Sequence, residues 1–233
     1  RTSTNFTTGK PTVQFTATNS SGSETSTPAI IQVTLSVTSA VDVTVNYTVE
    51  AGTASNGLDY ALTNGVITIP AGEIGVGIGF SVTNDLLDEY DKTVNLLLSN
   101  PVSALLGANT NHTYTILDDD DPPVITYSGE PYAVDESMGS RTITITISGA
   151  SGKDVSLDYA TSDGTATNDV DYTNTFGTLT WTSGETAPKT FVVPIIDDGL
   201  LQPQHTVNLT LSNAVDCTLG ETNTVIMIVD NDD

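Results

Sequence analysis

The chemistry this chain offers is carboxylate chemistry. Asp118-Asp119-Asp120-Asp121 and Asp230-Asn231-Asp232-Asp233 are short acidic runs, and Glu24, Asp59, Asp85 and Glu89 add isolated acids in other segments of the first half. Carboxylates gathered this closely repel one another unless a cation sits among them, which makes a metal partner the leading physical explanation. Calcium takes six to eight oxygen ligands in flexible geometry, and aspartates with backbone carbonyls are its usual supply, whereas magnesium keeps more water. No twelve-residue EF-hand loop is present, so a site must be assembled from several loops.

Other chemistries fit less well. Paired carboxylates serve glycosidases as acid and nucleophile, but such sites need an aromatic-lined cleft. The only tryptophan is Trp181, which lies in a strand pattern and matches Ile69 of the first half, so it is expected to pack in the core or against a strand face. His112 and His205 lie beside no nucleophile motif, and His112 is expected at an exposed approach to a strand. Cys217 is the only cysteine, which excludes an intrachain disulfide and the usual zinc spacings and leaves it as a small apolar residue. Phosphate-binding glycine loops are absent. The chain is expected not to be an enzyme.

The acids recur, and so does everything around them. Gly52-Thr53-Ala54 returns as Gly164-Thr165-Ala166, Asp59-Tyr60 as Asp171-Tyr172, and Gly72-Glu73 as Gly184-Glu185, each 112 residues later. Asn84-Asp85 matches Asp197-Asp198, Ser99-Asn100 matches Ser212-Asn213, and Gly107 matches Gly220, each 113 later. The two acidic runs close the copies at 112 again. A period of this length is domain-sized, too long for a solenoid repeat. The expected domains are 1–121 and 122–233, joined at Pro122-Pro123 by a linker of a few residues that holds them end to end.

The elements that must position these acids are strands. Thr142-Ile143-Thr144-Ile145-Thr146-Ile147 and Val207-Asn208-Leu209-Thr210-Leu211 alternate polar and apolar residues with period two. Ile31 to Val37, Val41 to Tyr47 and Val94 to Leu98 are the counterparts in the first half, separated by Gly, Asn, Asp and Ser clusters that supply turns. The predicted class is all-β: two tandem antiparallel sandwiches of about seven strands each, with loops gathered at their ends so that acids remote in sequence can converge. Six basic residues against 29 acidic ones give a net charge of −23. Nucleic acid and anionic membrane surfaces would repel such a chain, and no apolar stretch is long enough to span a bilayer.

The ordered succession of Gly-Thr-Ala, Asp-Tyr, Gly-Glu, a strand ending in paired acids, an amphipathic strand ending in Ser-Asn, and a closing acidic run resembles the Calx-beta family over nearly all of both copies. The resemblance implies a seven-stranded Ig-like sandwich that binds calcium at one end. Carried over residue by residue, it implies ligands at Glu24, Asp59, Asp85, Glu89, Asp118, Asp119 and Asp120 in the first copy, and at Glu136, Asp171, Asp197, Asp198, Asp230 and Asp232 in the second. The copies depart from one another at Gln202, Gln204 and Asn231, which stand where the first copy has Glu89, Asp91 and Asp119. Fewer charges lower calcium affinity, so the first copy is expected to bind more tightly.

The expected function is a non-catalytic calcium-binding spacer or adhesion module of a larger secreted or cell-surface protein, with calcium ordering the end loops and another surface protein or a glycan as a further partner. Low lysine and abundant Thr, Asn and Gly carry that placement. Two alternatives stand beside it: an intracellular calcium-sensing pair attached to a membrane transporter, as in the sodium/calcium exchangers of this family, and a carbohydrate-binding module, which needs an exposed aromatic platform.

Overall fold

The computed structural model describes residues 9–232. Asp233, the last member of the second acidic run, lies outside them. Contacts divide the chain into two compact units that part within the Asp118–Asp121 run, with Leu87–Glu89 grouped with the second. Among the described residues no helix is long and apolar enough to cross a membrane.

The first unit runs through β1 (Thr12–Phe15), β2 (Asn19–Ser23), β3 (Ala29–Leu35), β4 (Val43–Glu50), β5 (Tyr60–Ala61), β6 (Gly65–Ile69), β7 (Gly75–Val82), β8 (Lys92–Val102), β9 (Leu105–Leu106) and β10 (Asn111–Leu117). Its two sheets have the orders β5-β7-β3-β1-β9 and β2-β10-β8-β4-β6. The second unit repeats the plan with β11 (Val124–Ser128), β12 (Tyr132–Asp135), a 3-10 turn (Glu136–Met138), β13 (Ser140–Ile147), β14 (Val155–Asp163), β15 (Phe176–Trp181), β16 (Lys189–Pro194), β17 (His205–Val215), β18 (Thr218–Leu219) and β19 (Asn223–Val229). Its sheets run β16-β13-β11-β18 and β12-β19-β17-β14-β15. The segments outnumber the seven strands expected per copy, partly because two-residue pieces count separately and partly because the first strand of each copy is broken in two.

The period-two patterns place the core as the alternation requires. In β3, Ala29, Ile31, Val33 and Leu35 point inward, and β8 turns in Val94, Leu96 and Leu98. The second core has Ile143 and Ile145 of β13, Leu157 of β14 and Val207, Leu209 and Leu211 of β17 around a fully buried Trp181. The Trp181 indole N–H, which cannot be left bare in an apolar interior, donates to the Ala187 carbonyl at 2.8 Å. A buried tryptophan leaves no sugar platform at this position. His112 is not exposed as the sequence suggested. It occupies an inward position of β10 beside Tyr114 and Ile116, its ring nitrogens 2.8 Å from the Ala17 carbonyl and 2.8 Å from Ser20 Oγ. Cys217 is half-buried, and burial pushes its thiol pKa upward, away from reactivity.

Several repeated motifs turn out to be joints of the fold. A Cβ on Gly52 would meet the Thr93 carbonyl oxygen at 2.0 Å, and one on Gly164 would meet that of Thr206 at 2.4 Å. The chain passes this close because the N–H of Ala54 donates to Thr93 O and that of Ala166 to Thr206 O, each at 3.0 Å. The Ser-Asn pairs sit at bulges where β8 and β17 slip register against β4 and β14, and Asn100 and Asn213 take the positive φ (49° and 51°) that asparagine tolerates.

Candidate metal centre

The break in the first strand of each copy builds the site. β1 pairs with β3 in one sheet, and then β2 crosses to the other sheet and pairs with β10 in parallel, Ser23 opposite Leu117. Parallel neighbours end side by side, so the residues that follow them, Glu24 and Asp118, emerge together, with the Glu24 N–H bonded to Leu117 O at 3.1 Å. β12 and β19 do the same in the second unit, with Asp135 opposite Val229, and so Glu136 emerges beside Asp230. In each copy one more acid, two residues further along the closing run, completes the group. Carboxylate oxygens of Glu24, Asp118 and Asp120 lie within 4.8 Å of one another, and so do those of Glu136, Asp230 and Asp232. The two trios correspond at an offset of 112 residues throughout.

Both glutamates are buried at 6% exposure, which is unusual for a carboxylate. Glu136 Oε1 and Asp232 Oδ2 are buried and have no hydrogen-bond partner, and Asp120 Oδ2 is in the same position in the first trio. Oxygens buried this way pay a desolvation cost that a bound cation would remove, so the donor set fits a hard, oxygen-ligated metal ion. Electrostatics of the second trio agree. Burial first, and then the neighbouring Asp230 and Asp232, push the Glu136 carboxyl up to about 7. Asp232 is raised by burial and by the charges of Asp197, Asp230 and Asp198, while the backbone N–H groups of Gln202 and Asp232 hold Asp230 low.

Local turns fix the glutamates. Asp135 caps the 3-10 turn by accepting from the Ser137 N–H at 3.1 Å, and Ser137 N also reaches Asn231 Oδ1 at 3.2 Å. In the first unit Asp119 accepts from Ser23 Oγ at 2.8 Å and Thr25 Oγ1 at 3.1 Å, tying the closing run to the turn that carries Glu24. Position 119 and its counterpart Asn231 thus both serve as local ties, outside the trios.

The remaining candidates take other places. Asp59 is ion-paired with Lys92 at 2.6 Å and accepts the Ser55 N–H at 2.5 Å. Asp171 stands 3.2 Å from His205 Nδ1 and accepts the Thr167 N–H at 2.7 Å. Asp197 and Asp198 border the second trio through their charge on Asp232, and Gln202 ties Asp198 to Asp230 by a side-chain bond of 2.6 Å to the one and a backbone bond of 2.6 Å to the other. Asp85 and Glu89 are not in the first trio, and Glu89 groups with the second unit. Lys92 was not singled out from the sequence, and His205 was weighed only as a catalytic group, although the two correspond at the 113-residue offset and so carried a signal as partners of Asp59 and Asp171.

The Calx-beta domain family model matches the chain twice, at residues 7–120 and 118–232. Among curated proteins, sodium/calcium exchanger 1 of Canis lupus familiaris is 30% identical over 173 residues, covering 66% of this chain and 18% of its own length. Sodium/calcium exchanger 3 of Homo sapiens is 30% identical over 177 residues, covering 66% and 19%. The chain therefore spans less than a fifth of these relatives. Among solved structures, the apo form of the Calx CBD1 domain matches at 24% identity over 48% of this chain and 100% of its own, with a TM-score of 0.46. CBD12 from CALX1.2 matches at 19% identity over 93% and 99%, also with a TM-score of 0.46. These relatives correct the secreted or cell-surface placement: they are exchangers, and the family pair in exchangers is the intracellular one. Few lysines and many Thr, Asn and Gly are what a sandwich surface with many turns needs in any compartment, so composition carried no information about location. With both halves matched in turn, the chain belongs to the Calx-beta domain family.

Proposed function

We propose that this chain is a non-catalytic, calcium-responsive regulatory pair within a larger membrane transporter, each copy holding calcium in its carboxylate trio. One observation carries the reading: the same three acids, with a buried glutamate at the centre, recur at a constant offset although the flanking acids have diverged. A joint of the fold has no need of three mutually repelling carboxylates; a cation site does. Glu24, Asp118 and Asp120 would hold the ion in the first copy and Glu136, Asp230 and Asp232 in the second, where Asp197 and Asp198, whose charges act on Asp232, would extend the set. Similarity to the exchangers, over two thirds of this chain, supports the regulatory role.

Replacements at Gln202, Gln204 and Asn231 leave the second trio whole. Any difference in affinity then comes from the surrounding charge, and the first copy, with Glu89, Asp91 and Asp119, is expected to be the tighter. Calorimetric titration of the metal-free chain with calcium tests both points. Two or more binding events, one lost in Glu24→Gln and another in Glu136→Gln, are expected; heat unaffected by either substitution would end the proposal.

A further inference from the structure

β15 is an open edge strand. It pairs with β14 from Ala160–Phe176 to Val155–Trp181, and no backbone hydrogen bond from Phe176–Trp181 runs to any other strand among the described residues. Natural edges are commonly protected by a charge, a proline or a bulge, and Phe-Gly-Thr-Leu-Thr-Trp has no charge and no proline. On its outward face, alternate residues are Phe176, 78% exposed, then Thr178 and Thr180. Across the strand pair, opposite Thr178, lies Asp158, whose carboxylate is held by Thr178 Oγ1 at 2.6 Å and by Asn213 Nδ2 at 2.8 Å. Both bonds favour the ionised form and lower its pKa.

The first copy acts as an internal control. At the 112-residue offset, Asn64, just before its edge strand β6, stands where the second has Phe176, Val66 of β6 stands in place of Thr178, and Asn46 of β4 in place of Asp158. The sandwich therefore forms without an exposed aromatic or an acid at these positions, and folding does not account for them.

We propose that β15 of the second copy is a docking edge for an extended basic peptide segment, which adds as a further strand and lays a lysine or arginine across Thr178 to Asp158, beside the Phe176 ring. The spacing suits it. Strands lie about 4.8 Å apart, so a residue opposite Thr178 in an added strand sits about 10 Å from Asp158, within reach of a long cationic side chain over a small threonine. An aromatic face and a fixed carboxylate together select a cation. Charge decides between occupants: a second copy of a chain carrying −23 is repelled, whereas a basic segment is attracted. Main-chain pairing supplies the register, as in other β-strand additions.

The test is fluorescence anisotropy of the full chain, in saturating calcium and at physiological ionic strength, with a labelled, amidated heptapeptide of alternating threonine and lysine. Saturable binding is expected, with amide NMR shifts concentrated in residues 176–181, and no binding of the threonine–glutamate counterpart. F176A and D158N should each weaken binding about fivefold, and N-methylation of the peptide backbone should abolish it. Phe176 is exposed, so F176A should keep the parent's melting temperature, and the peptide controls need no variant at all. Absence of saturable binding would overturn the proposal, as would equal binding by all variants or undiminished binding of the N-methylated probe. Sedimentation showing self-association that F176A abolishes would assign the edge to a second copy, and so would also overturn it.

Discussion

Lys92 Nζ lies 2.6 Å from Asp59 Oδ1, so one of the six basic groups in the chain is committed to an acid that the family resemblance alone implies as a metal ligand. The partners are largely buried, at 23% and 14% side-chain exposure. Asp59 also caps a turn through the Ser55 N–H. Its carboxylate is thus neutralised from within the fold.

Removing that cation leaves a poorly solvated carboxylate. Lys92→Met is expected to cost about 2 kcal/mol in denaturant unfolding of the metal-free chain. Calcium should recover part of the loss if Asp59 is then recruited to the ion; a loss that calcium does not alter would confine Asp59 to its turn.

Calcium should stabilise the folded chain by mass action. At a hundredfold excess over Kd the gain is about 2.7 kcal/mol, or about 10 °C in melting temperature for a domain of this size. A thermal melt that is the same in calcium and in chelator would refute cation binding by either trio.

The copies can be told apart by a built-in probe. Trp181 is the only tryptophan and lies in the second core at 1% exposure. Its fluorescence should report unfolding of the second unit, whose calcium-dependent shift Glu136→Gln removes and Glu24→Gln leaves in place. Trp181→Ala should cost about 3–5 kcal/mol through the cavity it leaves.

Acidity should act on the second copy through Glu136, raised to about 7 from 4.5. The folded, metal-free state holds this proton more tightly than the unfolded chain does. Its contribution to stability is therefore complete below pH 4.5 and is lost as pH rises through about 7. Calcium needs the deprotonated form, so its affinity for the second copy should fall about fivefold between pH 7 and pH 6. Calorimetry across this range should show the fall, and Glu136→Gln should abolish it along with binding.

What the sequence determined by itself was whatever depends on local pattern. Alternation along Thr142–Ile147 and Val207–Leu211 dictated strands and their buried faces, because a strand's side chains change sides at every residue. The 112-residue recurrence revealed the duplicated architecture, since each copy must rebuild the same joints: Gly52 against Thr93 and Gly164 against Thr206, or Asn100 and Asn213 at their bulges. Composition misled on location, and His112 was misplaced because a polar residue near a strand end gives no sign that its ring will be satisfied by Ala17 and Ser20, far away in the chain. Which acids meet was decided by tertiary structure. The crossing of β2 to a parallel place beside β10, and of β12 beside β19, joins residues more than ninety positions apart, and no local pattern encodes that pairing. It brings Glu24 to Asp118 and Glu136 to Asp230, while Asp59 and Asp171, equally acidic on paper, are drawn to Lys92 and His205. A carboxylate's role depends on which charges and donors fold against it, and that is a property of the packed sheets.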